Sequence, residues 1–199
     1  MFLFVSKYIE ENKDFLTQAD KAIGDGDHGV GMARGFIAVR EKIGSKNFNS
    51  IGEILSSIGT ILLTTIGGAA GAIFGTLFRG ASKNLREEDT FSVRILSSML
   101  NDGLESVKQR GKAEPGNKTM VDSLEPAAIK SKELLTLPLK DALIAVSEAA
   151  RIGAENTKGM IATIGKAKTL GERSLGHPDP GAISVCLILR SMMEYVLSL

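Results

Sequence analysis

Between Glu53 and Arg79 no residue carries a charge. The run Ile54–Phe78 exceeds the roughly 20 apolar residues that cross a bilayer, and Gly67, Gly71 and Gly75 repeat at the four-residue spacing that lets helices approach closely in lipid. Two features argue against a span. Ser56, Ser57, Thr60, Thr64, Thr65 and Thr76 are scattered through it, and the pair Gly67-Gly68 interrupts it near its middle. Two shorter helices, buried on most faces and joined at the glycine pair, are the expectation. A membrane-associated helical protein is the weaker alternative.

The rest of the chain reads as more of the same. Helical spacing of apolar residues marks 2–17 (Phe2, Val5, Ile9, Phe15, Leu16) and 30–43 (Met32, Phe36, Val39, Ile43). Ser50 with Glu53 forms a capping box for a helix over 50–66, and the next helix runs to about Asn84. Asp89 or Thr90 is expected to cap a helix carrying Phe91, Ile95, Met99 and Val107. Thr119 opens a helix ending near Leu135. Pro138 suits a first turn, and the helix after it is expected to continue past Gly153 and Gly159 to about Gly165. The last helix covers about Gly181–Leu197. This gives eight helices and no strand, in one domain over 1–199. The lack of Trp and an aromatic content of only 5% agree with an aliphatic helical core.

Three connections are long: 18–28, 109–118 and 166–180. Counted along alternating up and down helices, they follow the first, fifth and seventh, and the break at 67–71 follows the third. All four therefore meet at one end of an antiparallel bundle, where a rigid scaffold can carry a site.

The first of these connections is the most costly to fold. Asp20, Asp25 and Asp27 lie within eight positions, interleaved with Gly24, Gly26 and Gly29 and followed by His28. Carboxylates crowd together at a cost unless a cation neutralises them. The pattern Gly24-x-Gly26-x-x-Gly29 matches a dinucleotide fingerprint, but no strand precedes it and its aspartates would repel a pyrophosphate. An EF-hand begun at Asp25 would put Phe36 where a bidentate Glu belongs. There is no Walker A sequence, and one cysteine with two distant histidines makes no zinc site. An all-carboxylate site for a hard cation such as Mg²⁺ remains. Spacing alone leaves open a solvated acidic turn whose aspartates cap helices. The break Gly67–Gly71 precedes a helix, which suits either phosphate or close helix packing. Asp179 can cap the last helix, and His28 and His177 can each donate to phosphate or carry a proton. No activated nucleophile is evident. A net charge of +1 provides no field for nucleic acid or an anionic membrane. The lone Cys186, read as a small buried hydrophobe, fits a reducing compartment, hence a cytoplasmic location.

The stretches Gly24-Asp-Gly-Asp-His-Gly29, Gly67-Gly-Ala-Ala-Gly71, Gly111-Lys-Ala-Glu-Pro-Gly-Asn-Lys-Thr-Met120 and Gly171-Glu-Arg-Ser-Leu-Gly-His-Pro-Asp-Pro-Gly181 together resemble the nucleotide-binding L subunit of dihydroxyacetone kinases, in order and over nearly the whole chain. The resemblance implies an all-α, eight-helix, antiparallel up-and-down barrel with ADP or ATP at one end. It implies that Asp20, Asp25 and Asp27 hold two Mg²⁺ ions, with no catalytic residue in this chain beyond these ligands. It places His28, Gly29, Val30, Gly31, Ala69, Ala70, Gly111, Thr119, Met120, Lys166, Asp179, Pro180 and Gly181 around the nucleotide. A free-standing chain of this length looks like the phosphotransferase-system-dependent type. There ADP stays bound, a phosphocarrier M subunit rephosphorylates it, and the γ-phosphoryl passes to dihydroxyacetone held on a histidine of a separate K subunit. A homodimer is compatible with this, and a nucleotide domain of fatty-acid-kinase type is the nearest alternative. Four positions depart from the family pattern: Ala70 for a common Ser, Asn117 for Asp, Lys166 for Arg and Gly31 for Asn. The third exchanges a planar fork of donors for a point charge.

Overall fold

The computed structural model describes residues 1–85 and 90–199. Among them are nine α-helices: α1 Phe2–Glu11, α2 Lys13–Ile23, α3 His28–Gly44, α4 Ile51–Thr65, α5 Gly68–Ala81, α6 Val93–Gly111, α7 Val121–Glu133, α8 Leu139–Asn156 and α9 Pro180–Leu197. Short 3₁₀ segments cover Thr157–Gly159 and Lys166–Ser174, and no strand occurs among the described residues. Each helix from α3 onward packs on the next, α1 and α2 both lie along α3, and α1 packs on α9 to close the ring. The chain is thus an up-and-down helical barrel. Its first strut is broken at Asn12, so α1 and α2 together occupy one of eight positions.

The uncharged run lies inside this ring as two helices. Gly67 and Gly68 both have positive φ, +82° and +57°, which L side chains disfavour, and the chain turns there between α4 and α5. At 15 and 14 residues, neither helix reaches across a bilayer. The glycines also permit contact: a Cβ on Gly59 would lie 2.7 Å from the Gly75 carbonyl oxygen, and one on Gly75 would lie 2.9 Å from that of Gly59. Among the described residues the helix long and apolar enough to span is α9, and more than half of it is buried in the bundle. It supplies Ile183, Val185, Leu187, Ile188, Leu189 and Met192 to the aliphatic core.

Several expected boundaries move. The first helix extends past residue 17 to Ile23, so Asp20 is helical and the acidic connection begins only at Gly24. Ser92 caps α6 by accepting the Ile95 N–H at 3.4 Å, which leaves Thr90 and Phe91 ahead of the helix; Asp89 lies outside the described residues. The helix α5 ends at Ala81 rather than near Asn84, and α6 continues to Gly111, shortening the next connection. Thr119 stands two residues before α7, and α7 ends at Glu133 rather than near Leu135. Pro138 is the residue before α8 rather than part of its first turn. The helix α8 stops at Asn156, where Thr157 passes into a 3₁₀ turn. The capping box at Ser50 is half as read: Ser50 Oγ accepts from Glu53 N, but Glu53 reaches Asn49 N instead of Ser50 N.

Candidate functional site

The N-termini of α3, α5, α7 and α9 and the C-terminus of α2 surround one cavity of about 200 Å³. Its walls include Asp20, Gly24 and His28, then Ala69 and Ala70, then Lys118, Thr119 and Met120, and finally Gly165, Lys166 and Asp179–Gly181. The four unusual segments of the sequence therefore do meet at one end.

Asp20, in the last turn of α2, is buried, and its Oδ2 accepts the first N–H of α3, from His28, at 3.1 Å. This bond turns the chain from α2 into α3. Glycine at position 24 leaves room for the carboxylate: a Cβ there would sit 2.2 Å from Asp20 Oδ1 and would displace it. The turn brings one carboxylate oxygen each of Asp20, Asp25 and Asp27 to within 4.8 Å of one another. Three hard anionic donors this close fit a divalent cation that prefers oxygen. The exposed Asp25 and Asp27 receive Lys166 Nζ at 2.5 and 3.3 Å. That hydrogen bond holds the Asp25 carboxyl below the usual carboxylate range and raises the lysine.

His28 Nε2 lies 2.8 Å from Ser184 Oγ on α9, and its ring packs 6.1 Å from that of Phe74. Burial lowers its pKa, with Asp20 and Asp27 pulling the other way, so the ring is neutral near pH 7. Asp179 caps α9 through the Ala182 N–H at 2.8 Å. Desolvation pushes its pKa up to about 7 against the opposing N–H bond to Ala182 and the Lys118 charge.

The helix α5 starts differently. Its first backbone bond runs from Gly71 N to Gly67 O at 3.0 Å, which leaves the N–H groups of Gly68, Ala69 and Ala70 outside the helical ladder, with no side-chain cap. Arg34 on α3 fixes this junction by donating to the carbonyls of Thr65 (2.7 Å) and Ile66.

Not every expected site residue lines the cavity: Asp20 does, whereas Asp25 and Asp27 are exposed in the turn after α2. Gly29 and Gly31 are buried in helix contacts: a Cβ on Gly29 would strike the Lys13 carbonyl at 2.3 Å, and one on Gly31 would press Ile66 at 3.3 Å. Val30 is exposed on the outer face of α3, and Gly111 ends α6 beside Ile73. His177 lines a different, larger groove of about 830 Å³ between α2, α8 and α9, which also contains Cys186, half-buried rather than in the core. Among the described residues, no carboxylate cluster of the kind above lies in that groove.

Two residues escaped the sequence reading. Lys118 is buried, has a left-handed φ of +59°, and donates to the carbonyls of Thr157 (2.6 Å), Met160 (3.1 Å) and His177 (2.6 Å). An ammonium has three N–H bonds, and all three are used. Asp122 is buried in the first turn of α7, and its two oxygens accept Gly116 N (2.5 Å) and Thr119 N (2.7 Å). Together they join the loop before α7 to the segments that lead into α9. The only sequence hint was the placement of a lysine and an aspartate around Thr119.

Residues 22–194 match the DAK2 domain family. The chain is 42% identical over 183 residues to the ADP-binding subunit DhaL of the PEP-dependent dihydroxyacetone kinase of Escherichia coli, covering 90% of this chain and 86% of that one. It is 38% identical to the corresponding PTS-dependent subunit of Lactococcus lactis, covering 94% and 91%. Human triokinase/FMN cyclase is 35% identical over 94% of this chain, which spans 32% of that protein. The structure superposes on the dihydroxyacetone kinase of C. freundii, solved with AMP-PNP and Mg²⁺, with a TM-score of 0.76 at 26% identity. This match covers 98% of this chain and a third of the other.

Proposed function

The chain belongs to the DAK2 domain family, and from that premise we propose that it is the nucleotide-binding subunit of a phosphotransferase-system-dependent dihydroxyacetone kinase. The observation that carries the reading is the carboxylate triad Asp20, Asp25 and Asp27, whose buried member Asp20 lines the same cavity as the uncapped N-terminus of α5. A site for a nucleotide diphosphate needs both: anions to hold metal, and backbone donors for the phosphate oxygens the metal does not cover.

In this reading the residues divide the work. Asp20, Asp25 and Asp27 hold Mg²⁺, two ions being the proposal, and the metal neutralises charge on the phosphates. Backbone N–H groups at Ala69 and Ala70 meet phosphate oxygens. The small side chains there let the phosphates approach the helix end. Thr119, Met120, Pro180 and Gly181 flank the remainder of the nucleotide. His28, neutral and held against Ser184, presents no competing charge. This chain contributes no nucleophile. The acceptor is dihydroxyacetone on a separate K subunit, and an M phosphocarrier restores ATP in place. A cytoplasmic location and a single nucleotide-binding domain over 1–199 belong to the same proposal.

The test is thermal stabilisation by ADP with Mg²⁺ compared with ADP alone. A ligand at 100 times its Kd stabilises by about 2.7 kcal/mol. A rise in Tm seen only when both are present, together with ADP that copurifies and is released by a chelator, is expected. If ADP binds equally well with and without Mg²⁺, or not at all, the reading fails.

A further inference from the structure

We propose that Lys166 is a resident counter-cation of the carboxylate cluster, and that a divalent ion and this ammonium alternate on Asp25 and Asp27. Metal binding then unlatches the segment Lys166–Ser174 from the acidic turn and opens the cavity. The inference rests on the nucleotide-site reading and adds to it an order of events.

Three observations carry it. First, Lys166 Nζ reaches both exposed carboxylates of the triad, at 2.5 and 3.3 Å. Divalent cations of this class sit roughly 2.0–2.6 Å from carboxylate oxygens, so the ammonium occupies ground that a coordinated ion needs. The two cations repel each other and compete for the same two carboxylates.

Second, the contact is a tether between distant parts of the chain. Lys166 opens a 3₁₀ segment that packs on α2, while Asp25 and Asp27 belong to the turn after α2. Gly165, immediately before the segment, has φ +74°, and Gly171 within it has φ +55° and breaks the helical path. The segment therefore has a glycine swivel on either side of its first turn. Its far end is anchored separately, where Ser174 Oγ accepts Ala162 N at 3.0 Å. Release of Lys166 frees the first turn without undoing that anchor.

Third, the cavity is small for its proposed occupant. Ligand pockets run from about 300 to 1,000 Å³, and this one holds about 200 Å³. Ile164, Gly165, Lys166 and Ala167 form one of its walls. Withdrawal of that wall makes room for a nucleotide, and the tie from Lys166 to the triad is what holds it in.

The test uses the full-length chain stripped of nucleotide, with Mn²⁺ as the metal probe in titration and Mg²⁺ in hydrogen exchange. Lys166→Met should bind Mn²⁺ roughly three- to ten-fold more tightly than the parent, the scale of one or two partly exposed ion pairs. Lys168→Met is the control: it removes the same charge from an exposed position two residues away and should change affinity less than two-fold. Saturating Mg²⁺ without nucleotide should speed amide exchange over residues 163–170 in the parent. In Lys166→Met that exchange should be fast already and insensitive to metal. Unchanged or weaker Mn²⁺ binding by Lys166→Met, an equal gain in Lys168→Met, or protection of the segment by Mg²⁺ in the parent would each overturn the proposal. If the parent binds Mn²⁺ with ADP as expected, such a result leaves the nucleotide site standing. If it binds neither, both readings fall.

Discussion

Replacing Lys118 with methionine isolates the contribution of one buried side chain to the whole site end. The lysine is almost fully enclosed, 2% exposed, and its three donors all meet carbonyl oxygens, at 2.6, 3.1 and 2.6 Å. Hydrogen bonds from a charged donor contribute about 1.5–3 kcal/mol each. Desolvating an ammonium costs several kcal/mol in return, and burial accordingly lowers the lysine pKa against the pull of Asp179 and Asp122. The net loss on substitution is about 2–4 kcal/mol, since methionine fills the volume but leaves three carbonyls unpaired. For a chain of this size each kcal/mol shifts Tm by roughly 2–4 °C, so Lys118→Met should melt about 5–12 °C lower. The same lysine ties Thr119–Met120 to the segment entering Asp179–Gly181. Affinity for ADP with Mg²⁺, measured calorimetrically well below the melt, should therefore also drop, by about ten-fold. A variant that melts within 2 °C of the parent and binds ADP as well would refute the staple.

Two other outcomes are expected. Asp25→Asn, at an exposed position, should leave the melt of the nucleotide-free protein nearly unchanged while abolishing the extra stabilisation that Mg²⁺ adds to ADP; a normal Mg²⁺ response would remove Asp25 from the metal set. Asp179 makes stability pH-dependent with a definite sign. Folded, it keeps its proton up to about pH 7; unfolded, it releases it near the ordinary aspartate value of 3.8. The folded chain binds more protons in between, so stability falls as pH rises through that window. Chemical denaturation from pH 5 to 8 should show a shallower decline in Asp179→Asn, which can still cap α9, and an unchanged slope would contradict the assignment.

How much of this was legible beforehand depends on the distance over which each feature is determined. The helices announced themselves because their apolar spacing is local, and the antiparallel order followed from short connections. Hence four segments could be assigned to one end from parity alone. Helix ends were read less well because tertiary contacts set them. Asp20 belongs to α2, since its carboxylate accepts an N–H from the next helix; the aspartates and glycines that signal a loop also serve as a helix end. The helix does pass Gly153, but the extension expected past Gly159 fails where Thr157 Oγ1 accepts Asp179 N, 22 residues away. Gly29 and Gly31 were placed at the nucleotide from the resemblance, yet their backbones are where α3 meets α2 and the end of α4. Lys118 was invisible for a related reason. Its three acceptors lie 39, 42 and 59 residues downstream, and no local pattern reports them.

The site end presents four helix N-termini, and their chemistry is not equivalent. That of α3 is met by Asp20, that of α7 by Asp122 in its first turn, and that of α9 by Asp179. Asp20 and Asp179 accept N–H groups in the first turns of α3 and α9, and Asp122 accepts those of Gly116 and Thr119 just ahead of α7. The N-terminus of α5 has neither a side-chain cap nor an acidic residue in its first turn. An ordinary helix end gains from such a cap, whereas a phosphate site must do without it. Ala69→Asp separates these cases, because Ala69 is exposed at the second position of α5. A carboxylate there should stabilise the nucleotide-free protein by about 0.3–1 kcal/mol through the helix dipole, raising Tm by one to a few degrees. It should at the same time weaken ADP binding in Mg²⁺ by at least ten-fold, since it takes the phosphate donors and adds like charge. Melting and titration on the same preparation read the two effects independently. A variant more stable and still binding ADP normally would show that the phosphates lie elsewhere, and that α5 is uncapped only because Gly67 and Gly68 are needed for the turn.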